Sequence, residues 1–164
     1  MYDKQAIYDL LKEKGIWYDV VEHPAVFDME ALGELDLPHA EYNAKNLFVR
    51  DDKKRNYYLI TVRGEKRVDL KDFRKKQGTR RLSFASPEDM EALLGITPGS
   101  VSPLGLLNDR EHRVHYYLDQ DLAGEEALVG MHPNENTASI WLKSADLIAL
   151  IQEHGNEVTV VEIE

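Results

Sequence analysis

Apolar residues recur at helical spacing from the start of the chain, where Ile7, Leu10 and Leu11 share one face. Asp3 stands where a cap belongs and Gly15 where a helix stops, so a helix is predicted between them. Residues 17–21 then read as a strand, ended by His23-Pro24. Asp28 opens a short helical stretch through Leu35, with Pro38 beyond it. Residues 45–49 and 57–62 are strand candidates, and the polar run 51–56 between them predicts a hairpin loop.

Asp69 and Asp72 occupy the cap and first turn of a basic helix that Gly78 closes. Residues 82–85 are short and strand-like. Ser86-Pro87-Glu88-Asp89 then starts a helix that runs to Leu94 and stops at Gly95. Residues 114–118, 127–131 and 138–142 are further strands. Ser144 opens a last helix closed by Gly155, and 157–163 alternates as a final strand. The sum is about seven strands interleaved with four or five helices. Helices do not separate every strand pair. A mixed α/β (α+β) domain, with one mostly antiparallel curved sheet flanked by helices, therefore fits better than a doubly wound sheet. No repeat, linker or low-complexity stretch interrupts the 164 residues, so a single domain over 1–164 is expected.

Charge changes this picture. The chain carries a formal net charge of −10, which at first argues against a nucleic-acid partner. Yet residues 45–81 hold fourteen Lys/Arg and five Asp/Glu, a local balance of +9, and the remainder stands at −19. Such segregation either aims one face at a polyanion or simply solvates a helix and its loops. Cysteine is absent, which excludes disulfides, thiolate metal sites and a cysteine nucleophile. No stretch approaches the roughly 18 apolar residues of a membrane span, and no signal-peptide pattern opens the chain, so a cytoplasmic protein is expected.

Three polar stretches are not required by local structure. In Asn43-Ala44-Lys45-Asn46, the lysine at a strand entrance is either solvated or an ammonium at a pocket mouth that binds phosphate or polarises an ester. Residues 95–109 contain Gly99-Ser100-Val101-Ser102-Pro103 and Asn108-Asp109. This is either a structural turn or an ordered loop whose backbone N–H groups converge on an anion or a water. His132-Pro133 with Asn136 follows an apolar strand, where a histidine is incidental, orients water, accepts a proton or bonds a substrate amine. Six histidines without metal-ligand spacing give no metal site. There is no Gly-x-Ser-x-Gly elbow, P-loop or dinucleotide fingerprint, and no cofactor is expected.

Together the three stretches resemble the YbaK-like aminoacyl-tRNA deacylases, which include the insertion domain of bacterial prolyl-tRNA synthetases. The resemblance rests on Lys45-Asn46-Leu47-Phe48, the Gly99 to Pro103 loop, Leu107-Asn108-Asp109, and His132-Pro133 with Asn136, in an order spanning nearly the whole chain. His23-Pro24-Ala25, Val68-Asp69-Leu70-Lys71 and Arg81-Leu82-Ser83-Phe84-Ala85-Ser86 are similar to the free-standing Ala-tRNA(Pro) deacylases of the ProX or PrdX type. The resemblance implies the insertion-domain fold and hydrolysis of alanine wrongly attached to tRNA(Pro). It implies that Lys45 contacts the 3′-terminal adenosine and that the Gly99 loop holds water and oxyanion. His132 would position substrate or water, and 28–35 would wall the pocket. Asn46, Ser100, Val101, Ser102, Pro103, Asn108, Asp109 and Asn136 follow as substrate-binding residues, with Arg80, Arg50 and Lys75 on the tRNA and prolyl-tRNA synthetase as a candidate partner.

Ser102 stands where relatives commonly carry threonine, and Phe27-Asp28-Met29-Glu30 departs from their Thr-containing helix start. Both bear on amino-acid preference rather than on the reaction. A deacylase for another small amino acid such as serine, or for another tRNA, and a non-catalytic binder of tRNA ends are the alternatives.

Overall fold

Local capping sets the helices. The Asp3 carboxylate accepts the Ala6 N–H at 2.9 Å and Gly15 takes a left-handed φ of 67°, bounding α1 at Lys4–Lys14. Asp28 caps α2 (Met29–Gly33), and Asp69 accepts from Lys71 and Asp72 to start α3 (Leu70–Gln77), which Gly78 ends. Ser86 and Asp89 form a capping box around Pro87 in α4 (Pro87–Asp89), which passes into a π-helical turn over Met90–Leu94. α5 covers Ser144–His154 and stops at Gly155.

The computed structural model describes residues 1–163 and contains eight strands in two sheets, where one sheet of about seven was expected. They are β1 (Tyr18–Glu22), β2 (Ala44–Asp51), β3 (Tyr57–Arg63), β4 (Leu82–Phe84), β5 (Val114–Asp119), β6 (Leu128–Met131), β7 (Ala138–Lys143) and β8 (Val158–Val161). The larger sheet has the order β4-β2-β3-β5-β8, and the smaller has the order β1-β7-β6. β2 pairs antiparallel with β3 and β4, and β5 lies parallel to both β3 and β8. The mixed α/β expectation therefore holds. The sheet divides because β1, β6 and β7 complete their antiparallel ladders with each other. Between the sheets, Asn43 bridges to Gly130 in parallel register.

Both sheets contribute to one buried core, with Phe48, Leu59, Tyr116 and Leu118 from the larger and Val129, Ile140 and Leu142 from the smaller. Ile7, Leu11, Leu147 and Ile151 close it from α1 and α5. Strand β2 is apolar on both faces. Ala44 and Phe48 enter this core, while Leu47 and Val49 face a second cluster that Phe73 of α3 covers. No helix among the described residues is long and apolar enough to cross a membrane.

Residues 103–108, expected as loop, form a 3₁₀ helix (Pro103–Asn108) whose first five residues are buried. Ser102 is its cap, accepting the Leu104 N–H at 3.1 Å.

The bridge between the sheets needs glycine. A Cβ on Gly130 would sit 2.5 Å from the Trp141 indole nitrogen and 3.0 Å from the Asn43 side-chain oxygen. Trp141 is fully buried and its indole N–H has no hydrogen-bond partner among the described residues, so it has little room to yield. Gly130→Ala is expected to lower the unfolding free energy in urea by about 1–3 kcal/mol through overpacking. A variant within about 0.5 kcal/mol of the parent, the range of an ordinary surface change, would contradict this reading.

Candidate active site

The bridge sets the start of β2 beside the end of β6, and a cleft of about 370 Å³ opens where they meet. Lys45 and Asn46 line it from β2, Met131 and His132 from the end of β6, and Ser139 from β7. Gly99 and Val101 supply the opposite loop, and Phe27, Asp28, Met29 and Leu32 form a wall at α2. Four sequence-distant candidates, Lys45, Gly99, Val101 and His132, are therefore brought together.

The loop is held by a buried relay of hydrogen bonds. Tyr116 donates its hydroxyl to Thr61 Oγ1 at 2.9 Å, and Thr61 donates to Asn46 Oδ1 at 2.5 Å. Burial raises the Tyr116 phenol far above its ordinary value, which keeps it a donor. Asn46 Nδ2 then donates to the Val101 carbonyl at 3.4 Å. Both ends of the Asn46 amide are committed, so Asn46 fixes the loop although it lines the cleft.

Gly99 has φ 92°, and a Cβ there would meet the Phe27 ring at 3.1 Å. Glycine is thus required on two counts. The Ser100 N–H donates to the Thr97 carbonyl at 3.1 Å, while those of Gly99 and Val101 have no partner among the described residues. Two unused backbone donors at the wall of a cleft suit a developing oxyanion.

Histidine polarity sets the other side. His132 Nδ1 lies 2.8 Å from the Ala138 carbonyl, which can only accept, so the proton is on Nδ1 and Nε2 is an acceptor. Burial lowers the His132 pKa from its ordinary value, with repulsion from His23 adding and the Ala138 bond opposing. His23 stands edge-on to it, with ring centroids 6.2 Å apart. His23 Nδ1 faces the Pro24 carbonyl at 2.8 Å, and its Nε2 is 2.9 Å from Ser139 Oγ. With its proton on Nδ1, a neutral His23 accepts a hydrogen bond from the Ser139 hydroxyl at Nε2, which leaves the Ser139 lone pairs free. Asn136 donates to the Val26 carbonyl at 2.8 Å and anchors the chain leading into α2.

Several expected contacts fall elsewhere. Asn108 receives the Tyr2 N–H at 2.7 Å and donates to the Leu94 carbonyl at 2.8 Å, outside the cleft. Asp109 is buried, accepting from the Val114 N–H at 2.9 Å and Asn156 Nδ2 at 2.8 Å. Both are structural clamps. Ser100, Ser102 and Pro103 are buried behind the loop rather than exposed in the cleft. Arg50 pairs with Asp89 and Arg80 with Asp52, so these two cations are already neutralised.

Lys75 instead lines a second depression of about 1010 Å³. Lys45 and Leu47 line both spaces, so the two adjoin at these residues. Ser139 and His23 were not legible as site residues. Their local signals are the His23-Pro24 step that follows β1 and a serine in a strand that is otherwise apolar from Ala138 to Leu142.

A family model described as the aminoacyl-tRNA editing domain matches residues 23–150. The chain is 37% identical to the prolyl-tRNA editing protein ProX of Acetoanaerobium sticklandii, over 98% of this chain and 97% of that one. It is 32% identical to prolyl-tRNA synthetase associated domain-containing protein 1 of Mus musculus, over 89% and 88%. A crystal structure of a candidate trans-editing enzyme for prolyl-tRNA synthetase superimposes with a TM-score of 0.71 at 26% identity, covering 98% and 96%.

The His132 geometry carries a pH consequence. The lowered pKa means that His132 is neutral at pH 7 and gains a proton only below the ordinary histidine value of about 6.5. NMR titration of its ring should place the midpoint under about 6.5, and a midpoint above it would contradict the assigned environment.

Proposed function

This chain belongs to the aminoacyl-tRNA editing domain family, and from that premise we propose that it hydrolyses alanine from mischarged tRNA(Pro) in trans. Residues 1–164 act as one deacylase domain. The observation that carries the reading is the convergence of Lys45, two unused backbone donors at Gly99 and Val101, and the acceptor nitrogen of His132 on one cleft.

An aminoacyl ester is already activated and needs a placed water rather than a covalent nucleophile. Water held at His132 Nε2 adds to the ester carbonyl and passes one proton to that nitrogen as the bond forms. The Gly99 and Val101 N–H groups take the negative charge on the carbonyl oxygen. The carbonyl then re-forms as the ester C–O bond breaks, the ribose oxygen takes the proton back from His132 Nε2, and free alanine and tRNA leave. Ser139 Oγ, whose proton is committed to His23, accepts from the α-ammonium of the substrate. Lys45 sits where the cleft meets the basic depression and binds the 3′-terminal nucleotide.

Rejection of proline falls to the wall of Phe27, Met29 and Leu32. Each extra methylene discriminates by only about 1–3 kcal/mol in an apolar site, so steric exclusion must supply the rest. The tRNA is the macromolecular partner, prolyl-tRNA synthetase is the source of its mischarged form, and the work belongs in the cytoplasm.

Purified protein incubated with Ala-tRNA(Pro), Ser-tRNA(Pro) and Pro-tRNA(Pro) tests the reading. The alanyl ester should be cleared well above its spontaneous rate while the prolyl ester persists. Preferred loss of the seryl ester would change the substrate, and loss of none would overturn the reaction. Lys45→Ala should lower kcat/KM by about 10²–10³, the usual cost of removing one charge-stabilising group. Parent-like turnover by Lys45→Ala would displace the site.

A further inference from the structure

The basic depression beside the cleft is built unlike the rest of the charged surface. Lys45, Arg67, Lys71, Arg74, Lys75 and Arg81 line it, and none of the six is in an ion pair among the described residues. Elsewhere in the same basic segment, Arg50, Arg63, Lys66 and Arg80 each pair with a carboxylate. The one acid in the groove, Asp69, is occupied in capping α3. Six cations against one carboxylate on one concave surface leave a net repulsion, a cost that a polyanion removes.

The floor is apolar. Leu47, Leu82 and Phe84 come from β2 and the edge strand β4. Phe84 sits opposite Val49 in the β2–β4 register, so the two share a face of the sheet. Val49 is buried with Phe73 of α3, whereas Phe84 is 63% exposed. A large ring thus stands open to solvent among cations, one strand from Lys45.

We propose that this groove binds the unpaired 3′ tail of the tRNA and that the Phe84 ring is a platform on which one base of the tail stacks. The inference rests on the deacylase reading, since Lys45 would hold the terminal nucleotide and the preceding ones would run from it along the groove. A duplex presents phosphates outward with its bases already stacked, and so would leave Phe84 unused. A single strand offers phosphates to the cations and base faces to the ring.

Fluorescence anisotropy with a labelled single-stranded RNA ending in CCA, and with an RNA duplex of equal length, tests this at several salt concentrations. Phe84→Ala should weaken binding of the single strand by roughly tenfold without changing its salt dependence, and Phe84→Trp should restore it. Arg74→Ala should instead reduce the slope of log affinity against log salt by about 0.7, the effect of one phosphate contact on a single strand. Lys14→Ala, on α1 and paired with Glu153 outside the groove, should change neither. Tighter binding of the duplex, or single-strand binding by Phe84→Ala equal to the parent, would overturn the proposal.

Turnover separates the two claims. Phe84→Ala should raise KM for Ala-tRNA(Pro) while hydrolysing alanyl-adenosine, which lacks the tail, as fast as the parent does. If alanyl-adenosine hydrolysis falls equally, the ring acts on the cleft and not on the tail. If the parent binds the single strand but hydrolyses nothing, the deacylase reading fails and the groove stands.

Discussion

Asn43 lies opposite Gly130 at the one bridge joining the two sheets among the described residues, and that contact sets the distance between the two halves of the cleft. On one side it carries Lys45 and Asn46, two and three residues further along β2. On the other it carries Met131 and His132, directly after Gly130. Glycine lets the strands and the Trp141 indole approach more closely than any side chain would permit. The indole N–H remains without a partner, a polar cost accepted at a junction that positions the chemistry.

From that junction the electrostatics divide cleanly. The cleft offers an acceptor at His132 Nε2, whose other ring nitrogen donates to the Ala138 carbonyl, and a second at Ser139 Oγ when its hydroxyl donates to His23. Gly99 and Val101 line the same cleft, and their backbone N–H groups have no partner among the described residues. Beyond Lys45 the surface changes to uncompensated positive charge over a hydrophobic floor. Lys45 is the charged residue common to both, so an ester-linked amino acid and its nucleotide would straddle it. An overall negative charge is compatible with a nucleic-acid substrate because the acidic excess lies outside residues 45–81.

Features governed by neighbours along the chain could be read from the sequence. Asp3, Asp69 and Ser86 cap helices as expected, because each acts on N–H groups within three residues. Leu47-Phe48-Val49 was readable as a strand, and its uniform apolarity follows from cores on both faces. Roles set by distant partners were not readable. Asn108 looked like a ligand contact until its oxygen proved to hold the Tyr2 backbone, 106 residues away. Ser139 acquires its polarity from His23 across 116 residues. Arg80 looked free in a basic run and is paired with Asp52, while Arg74 and Arg81 in the same run are not. Periodicity carries no information about which cation finds a carboxylate.

The central claim is that cleft and groove hold one ligand together through Lys45. It is tested most directly by NMR titration with an acceptor-stem RNA bearing alanine through a stable 3′-amide. The amides of Gly99 and Val101, the His132 ring and the Arg74 and Phe84 signals should shift together, with one midpoint. Shifts confined to the groove, or two sets of signals saturating at separate concentrations, would contradict a single site built across the two sheets.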